Sequence, residues 1–265
     1  MIAAIFWNVD PEIVSLGPVH LRWYGLLFAL GFLIGHGIML RIMRQEGKPD
    51  SNLDTLTLHM LIGTIVGARL GHCLFYEPEV YLLDPIRILY VWEGGLASHG
   101  AAIGILTSLF LYSKKFPDQS FVWIADRIVI TVALAGCFIR LGNLMNSEII
   151  GKPTDMPWAF IFARIDELPR HPAQLYEAIT CLILFGILYK LYWKHTNNLP
   201  AGLSFGIFLV WIFGLRILWE TIKENQVSFE DNLPMNMGQI LSIPLIIIGF
   251  WLIYRSQKNK LPQKS

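Results

Sequence analysis

The sequence predicts an all-α, polytopic integral membrane protein with about seven transmembrane helices, its N-terminus outside and its C-terminus cytoplasmic. Three observations predict this class: few charged residues, seven apolar windows and an unequal distribution of lysine and arginine. Of the 265 residues, 54% are hydrophobic and 15% are charged, whereas soluble domains carry about 25% charged residues. The net charge of +1 gives the chain no general attraction for nucleic acid, so none is expected as a partner.

The apolar windows come first, because a membrane helix needs about 20 mostly apolar residues. The windows that satisfy this length are 21–43, 53–76, 96–113, 121–144, 173–193, 202–222 and 238–255. Proline, aspartate, asparagine and lysine punctuate the segments between them. We therefore expect one transmembrane domain over 1–265, with an extracytoplasmic loop region at 147–172 and a cytoplasmic tail at 256–265. The N-terminal segment lacks a basic region and a cleavage motif, so we expect it to be retained.

The basic residues set the predicted orientation. Eleven lysines and arginines fall beside the windows on one side of the membrane, and six fall on the other. Cytoplasmic loops carry the excess of lysine and arginine. The side with eleven is therefore predicted to be cytoplasmic.

The cysteines and histidines indicate neither a disulfide framework nor a metal site. Cys73, Cys137 and Cys181 each lie inside an apolar run, and their spacing fits no zinc motif. His171 has no second ligand at helical spacing. We interpret the cysteines as packing residues and expect no metal.

Polar side chains inside the windows mark a candidate functional site, because ionisable groups are costly in hydrocarbon. On the predicted topology, six windows place such residues at one level, toward the outer leaflet. Arginine is the side chain best shaped to bind a phosphate through two hydrogen bonds, and Arg69, Arg140 and Arg216 are all embedded. At this depth the abundant anion is a phospholipid head group. The pattern therefore predicts a lipid-phosphate site.

Two of the motifs that contain arginine also have plainer interpretations. Arg140 and Asn143 share a helix face and favour an anion site with amide donors, although a snorkelling arginine and a helix C-cap would also explain the motif. Arg216 and Glu220 could form an ion pair within one helix.

The histidine and glutamine motifs leave the same choice open. His99 follows a glycine-rich stretch and could act as a general base or as a hydrogen-bonded structural residue. Gln174, Tyr176 and Glu177 open the fifth window, where helix capping would account for much of the motif.

Five stretches together resemble the prolipoprotein diacylglyceryl transferase family. They are SLGPVHLRWYG, WEGGLASHGAAIG, RLGNLMNSEIIGKP, LPRHPAQLYE and MGQILSIP, which occur in the family's order and cover the chain nearly end to end. The resemblance implies a multi-pass enzyme of the bacterial inner (cytoplasmic) membrane, with its active site toward the periplasmic face. It implies transfer of the diacylglyceryl group from phosphatidylglycerol to the lipobox cysteine of prolipoproteins. The products would be a thioether and glycerol phosphate.

The resemblance also implies partners and roles for residues. Phosphatidylglycerol, lipobox-containing signal peptides and membrane lipids are the implied partners, and no cofactor is implied because the lipid carries its own leaving group. By resemblance, Arg140 engages the lipid phosphate, Arg216 is the second essential arginine, and His99 is the candidate proton acceptor for the thiol. These three are the predicted catalytic residues. The predicted substrate-binding residues are Tyr24, Arg69, Arg140, Asn143, Glu148, Gly151, Gln174, Tyr176, Glu177 and Glu220.

The chain departs from the family's pattern at four positions. Ile139 and Ser147 stand where glycines are expected, Ser98 replaces an aromatic residue, and Ile212 replaces a tyrosine one turn before Arg216. The last change puts one polar contact near Arg216 in doubt.

Two other classes of function remain open on the residues alone. A transporter for anionic solutes or lipids would also use membrane arginines, but its site is expected near the bilayer midplane, often between internal repeats. No repeat is evident here, and the polar level is off centre. A receptor or scaffold would not need so many embedded ionisable groups.

Overall fold

The computed structural model describes residues 4–16, 19–90, 95, 97–223 and 235–258. Residues 259–265 of the predicted tail and residue 96 of the third window lie outside the described residues, and the side chain of Ser98 is not described either. The chain divides into two compact units, Met1–Met39 with Asp126–Ser265 and Leu40–Ala125. The assignment of 1–265 to one domain stays a prediction.

Helices dominate the described residues, and each of the seven apolar windows coincides with one. The helices are α1 Trp23–Gln45, α2 Asp50–Phe75, α3 Pro78–Leu83, α4 Ser98–Lys115, α5 Phe121–Asn146, α6 Ala173–His195, α7 Leu203–Trp219 and α8 Met237–Lys258. Five of them, α1, α2, α5, α6 and α8, are long and apolar enough to cross a membrane. The prediction of a mostly helical chain with several apolar helices is confirmed.

The two remaining windows correspond to α7 and α4. Helix α7 is apolar but has 17 residues, fewer than the roughly 20 that span the hydrocarbon. Helix α4 has 18 residues, begins with Ser-His and ends with two lysines. Its polar ends explain why it is less apolar than the other five.

The described residues also form five short strands, which the all-α prediction omitted. They are β1 Ile5–Trp7, β2 Glu12–Leu16, β3 Val19–Arg22, β4 Phe160–Phe162 and β5 Pro169–Arg170. Strand β4 pairs in parallel with β1 and antiparallel with β5, while β2 and β3 form a hairpin. Each strand has five residues or fewer, too short for an alternating pattern to stand out.

The helices of the first unit are fixed by close packing and by one long-range cap. Helices α7 and α8 meet where a β-carbon on Gly206 would lie 2.8 Å from the Gly249 carbonyl oxygen. The buried carboxylate of Asp126 on α5 accepts hydrogen bonds from the backbone N–H groups of Gly202, at 2.6 Å, and Phe205, at 2.9 Å. Both donors lie at the start of α7, where the first backbone N–H groups of a helix need acceptors from outside it.

In the second unit, α2 and α4 pack backbone against backbone. A β-carbon on Gly67 would lie 2.4 Å from the Gly100 carbonyl oxygen, and one on Gly104 would lie 2.0 Å from that of Gly63. Small residues spaced four apart are the usual basis for close helix packing in membranes. The cysteines have the predicted packing role, since Cys73, Cys137 and Cys181 are all free and buried.

Candidate active site

Five charged side chains of the first unit form a continuous series of contacts, which we call the ion-pair chain. Arg140 Nε lies 2.7 Å from Glu177 Oε2, and Lys223 Nζ lies 2.5 Å from Glu177 Oε1. Lys223 Nζ also lies 3.4 Å from Glu220 Oε1, and Arg216 Nε lies 3.5 Å from the same oxygen. Three cations and two carboxylates give the chain a net charge of +1 when all five are ionised.

The middle of the ion-pair chain is buried, and its two ends are accessible. The Lys223 side chain is 6% exposed, whereas the side chains of Arg140 and Arg216 are 30% and 47% exposed. Each arginine approaches its carboxylate through Nε, at 2.7 Å for Arg140 and 3.5 Å for Arg216. Both guanidinium groups can therefore donate to an anionic ligand while their Nε sides face internal carboxylates.

The start of α8 fixes one end of the ion-pair chain. Asn236 Nδ2 donates to Glu220 Oε2 at 3.0 Å. Asn236 and Gln239 also exchange two hydrogen bonds, Gln239 N–H to Asn236 Oδ1 at 2.9 Å and Asn236 N–H to Gln239 Oε1 at 3.2 Å. This reciprocal arrangement is a capping box at the helix N-terminus. Between these two residues, Gly238 leaves room for Arg216, whose Nε would lie 3.1 Å from a β-carbon there.

At the end of α5, the chain turns sharply and holds Glu148. The Glu148 N–H bonds the Asn143 carbonyl at 2.9 Å and the Ser147 N–H bonds the Leu144 carbonyl at 3.1 Å, the two bonds of a Schellman motif. Asn143 Nδ2 and Asn146 Nδ2 donate to the Glu148 carboxylate, both at 3.1 Å. The amide groups predicted to hold a ligand anion therefore hold an internal carboxylate, and the C-cap interpretation of this motif applies.

Two further features surround this turn. Gln174 Nε2 donates to the Glu148 carbonyl oxygen at 2.5 Å, which ties the start of α6 to the turn. An open pocket of about 280 Å³ lies beside it, with a mixed charged lining: Asp10, Pro11, Glu12, Arg22, Asn146, Glu148 and Arg164.

Gly151 lies where neighbouring segments approach too closely for a side chain. A β-carbon there would lie 2.6 Å from the His171 carbonyl oxygen and 3.1 Å from that of Ile222. Gly151 pairs with Lys223 in an isolated antiparallel bridge, and Arg170 Nη1 donates to the Gly151 carbonyl at 3.2 Å. The glycine therefore seats the backbone of Lys223, the central cation of the ion-pair chain.

Tyr176 belongs to an aromatic cluster beside the chain. Its hydroxyl accepts a hydrogen bond from Trp158 Nε1 at 2.8 Å and lies 3.2 Å from His171 Nδ1. Burial lowers the pKa of His171, which favours the neutral imidazole as acceptor of the tyrosine proton. In the loop before it, the Asp166 carboxylate accepts hydrogen bonds from Arg170, which lower the pKa of Asp166.

Two predicted site residues, Arg69 and His99, lie in the second unit. Arg69 is 2% exposed and donates to the carbonyls of Ile88, at 3.0 Å, and Arg87, at 2.6 Å. Its guanidinium carbon also lies 5.0 Å from the Tyr81 ring centroid. This geometry supports a structural role for Arg69 in place of the predicted lipid contact.

His99 ends a stack of three rings that begins at His72. Adjacent ring centroids lie 5.8 Å apart from His72 to Tyr76 and 5.7 Å apart from Tyr76 to His99, with interplanar angles of 15° and 16°. His99 Nε2 lies 2.8 Å from the Tyr76 hydroxyl. A neutral imidazole has one donor and one acceptor nitrogen. His99 can therefore accept a proton at Nδ1 when Nε2–H donates to Tyr76.

In the glycine-rich stretch before His99, Gly95 packs against side chains of the second unit. Gly95 has φ +68°, and a β-carbon there would lie 2.5 Å from His72 Cδ2 and 2.9 Å from Arg69 Nη1. The backbone at Gly95 therefore lies close to the side chains of His72 and Arg69. Among the described residues, no three His, Cys, Asp or Glu side chains come together as a metal site.

The sequence reasoning missed Lys223 and Asn236 as members of the site. It counted Lys223 only among the basic residues of the outer side. A signal was present, because Arg216, Glu220 and Lys223 are spaced i, i+4, i+7 and would share one face of a helix that continued beyond Trp219. Asn236 had a second signal, since an N-cap residue followed three positions later by Gln239 is typical of a helix start.

Comparison with known proteins identifies the family. The model of the prolipoprotein diacylglyceryl transferase family matches residues 11–255. A relative from Chloroherpeton thalassium is 49% identical over 261 residues, covering 98% of this chain and 97% of the relative. One from Tolumonas auensis is 50% identical, covering 97% and 99%, and one from Porphyromonas gingivalis is 43% identical, covering 99% and 98%. All three are named phosphatidylglycerol–prolipoprotein diacylglyceryl transferase. As the five sequence stretches predict, the chain belongs to the prolipoprotein diacylglyceryl transferase family and is a transferase.

Proposed function

We propose that this chain transfers the diacylglyceryl group of phosphatidylglycerol to the thiol of the lipobox cysteine of prolipoproteins. The products are a thioether and glycerol phosphate. The names of the relatives support both substrates. The observation that carries the proposal is the ion-pair chain, which has a net charge of +1 and two accessible guanidinium groups at its ends.

The reaction places its main demand on the leaving group. The cysteine thiolate attacks the glyceryl carbon that bears the phosphate ester, forming the C–S bond and breaking the C–O bond. A thiolate and a phosphodiester monoanion thus become a neutral thioether and a phosphate monoester dianion. Fixed donors aimed at developing charge lower such a barrier most. Arg140 and Arg216 are therefore the residues that bind the phosphate and stabilise it as it leaves.

The thiol must also lose its proton, because the thiolate is the nucleophile and a free thiol has a pKa near 8.5. His99 takes this proton at Nδ1, while Nε2–H donates to Tyr76. The Tyr76 hydroxyl can accept this hydrogen bond, which is compatible with the tautomer that acts as the base.

The predicted substrate-binding residues divide into two groups by their contacts. Glu177 and Glu220 are counter-ions that orient the two arginines. Apart from Arg140, which binds the phosphate, and Arg69, which has a structural role, the others shape the substrate site around them: Tyr24, Asn143, Glu148, Gly151, Gln174 and Tyr176. Of these, Glu148 borders the 280 Å³ pocket and can accept hydrogen bonds from head-group hydroxyls there.

The membrane arrangement is also a proposal. Helices α4 and α7 cross the bilayer together with the five longer ones, which gives seven spans in a single transmembrane domain. The N-terminus is outside, the C-terminus is cytoplasmic, and the active site faces the periplasm from the bacterial inner membrane. The distribution of lysine and arginine supports this orientation. Lipid and peptide then enter laterally, beneath the 147–172 loop.

The test is thioether formation on a lipobox peptide, with purified protein and phosphatidylglycerol. Wild type is compared with Arg140→Ala and with Arg255→Ala, a control at the far end of α8 whose guanidinium stacks on Trp251. We expect diacylglyceryl peptide and glycerol phosphate from wild type and Arg255→Ala only. If folded, lipid-bound wild type makes no product, the transferase proposal is overturned, and flux assays for anionic lipids become the next measurement.

A further inference from the structure

We propose that Lys223 is a positioning residue that couples the two arginines of the active site. Its ammonium group lies between the carboxylates of Glu177 and Glu220, each of which faces one arginine. The inference rests on the proposed function and deepens it, because it assigns the residue that sets the two phosphate-binding groups relative to each other.

The Lys223 side chain is too deeply buried to contact a bulky substrate directly. Its side chain is 6% exposed, and the two carboxylates beside it are 9% and 16% exposed. Its backbone is fixed as well, through the bridge to Gly151 and the hydrogen bond from Lys152 N–H to the Ile222 carbonyl at 2.8 Å. A side chain so enclosed acts on the substrate through its neighbours.

The charges explain why a cation is needed at this place. Without Lys223, two carboxylates would share a buried region with two arginines, and the cluster would have no net charge left for a phosphate. Each arginine would then be held more strongly by its own carboxylate, because charges interact strongly where water is excluded. With Lys223 present, the carboxylates are shared, and the guanidinium groups keep donors for the ligand.

The test is a double-mutant cycle in the thioether assay, read as kcat and KM for phosphatidylglycerol. Lys223→Met removes the charge and keeps the length of the side chain. We expect kcat/KM to fall at least tenfold, and Lys223→Arg, which retains the charge, to stay within about threefold of wild type. Lys152→Met is the matched control, since the Lys152 side chain is exposed and its ammonium group donates to the Thr221 carbonyl at 3.0 Å, away from the carboxylates of the ion-pair chain. It should leave both constants unchanged.

A second variant separates coupling from a loss of folding. Glu220→Gln lowers activity in wild type but should raise it in the Lys223→Met background, because it restores the balance of charge. A merely structural lysine would give no such reversal of sign. Thermal midpoints of all four proteins in detergent show which of them fold.

The outcomes are distinguishable. Product from wild type with an unchanged Lys223→Met enzyme overturns the coupling and leaves the transferase intact. Additive losses in the cycle overturn it too. If wild type makes no product, the proposed function fails, and the cycle of thermal midpoints then decides the coupling: additive shifts overturn it, and a reversal of sign supports it.

Discussion

The ring of Tyr24 lies directly against Gly142, where a β-carbon would lie 2.7 Å from Tyr24 Cδ2. Gly142 lies between Arg140 and Asn143 on α5, so the position of the tyrosine depends on the absence of a side chain two residues from the phosphate-binding arginine. Gly142 has no functional group of its own, yet it helps to decide where the Tyr24 hydroxyl lies.

Gly142→Ala should therefore lower transfer without removing a polar atom. The added methyl group displaces the ring, and we expect kcat/KM to fall roughly tenfold, corresponding to about 1.4 kcal/mol. The measurement is the rate of thioether formation. Gly186→Ala on α6 is the control, because a β-carbon there meets nothing within 4 Å. Equal activity of Gly142→Ala and Gly186→Ala would show that the position of Tyr24 does not affect the reaction.

Ser147→Gly should stabilise the protein. Ser147 has φ +56° at the position of the Schellman motif that glycine usually occupies, and the left-handed region costs a residue with a β-carbon about 1 kcal/mol. The gain in stability can be measured as a rise in the temperature at which the buried cysteines react with a thiol dye. Ser113→Gly, inside α4, is the contrasting control. It should lower the free energy of unfolding by about 0.5 kcal/mol, and with it the midpoint temperature. A lower midpoint for Ser147→Gly would contradict this account of the turn.

Asp126→Ala should destabilise the start of α7. The substitution removes the carboxylate that accepts hydrogen bonds from the N–H groups of Gly202 and Phe205, and a buried donor that loses its acceptor costs about 1–3 kcal/mol. Asp126→Asn retains one acceptor oxygen and should lose less. Thermal unfolding in detergent measures both, with exposed Asp54→Ala as the control. Unfolding of Asp126→Ala at the wild-type midpoint would show that other groups satisfy the donors.

Tyr76→Phe should slow transfer moderately, and His99→Gln should slow it strongly. Loss of one hydrogen bond costs about 1 kcal/mol, or about fivefold in rate, whereas loss of a general base costs about 10²- to 10⁴-fold. The measurement is kcat/KM for thioether formation on a lipobox peptide. Tyr254→Phe, exposed on α8, serves as the control. A wild-type rate for His99→Gln would show that His99 is not the base, and it would leave the proposed role of the arginines unchanged.

The helices were predictable because each apolar window is a local feature of the chain. The strands were not, since β1 and β4 pair over more than 150 positions and have three residues each. Their pairing depends on the packing of Phe160 and Phe162 against Leu144, not on their own patterns.

The site was predictable in its residue types and less so in its contacts. Helical spacing places Arg69 on one face of α2, but it does not predict that backbone carbonyls lie next to its guanidinium group. It also predicts no partner for Lys223. The departure at Ile212 has a physical explanation, because Ile212 packs against the cluster of Cys137, Ala178 and Cys181. An apolar side chain is suited to that place.

The backbone contact between α2 and α4 bears on how the protein is made. These helices follow each other closely in sequence and meet through glycines, so their contact uses no residue beyond Lys115. A contact between near neighbours forms early, because the chain between them is short. We expect the pair to form once α4 has left the ribosome, before the helices of the first unit are complete. Ribosome-bound chains long enough to release α4 would then already protect the native Cys73 on α2, which is free and buried, from modification.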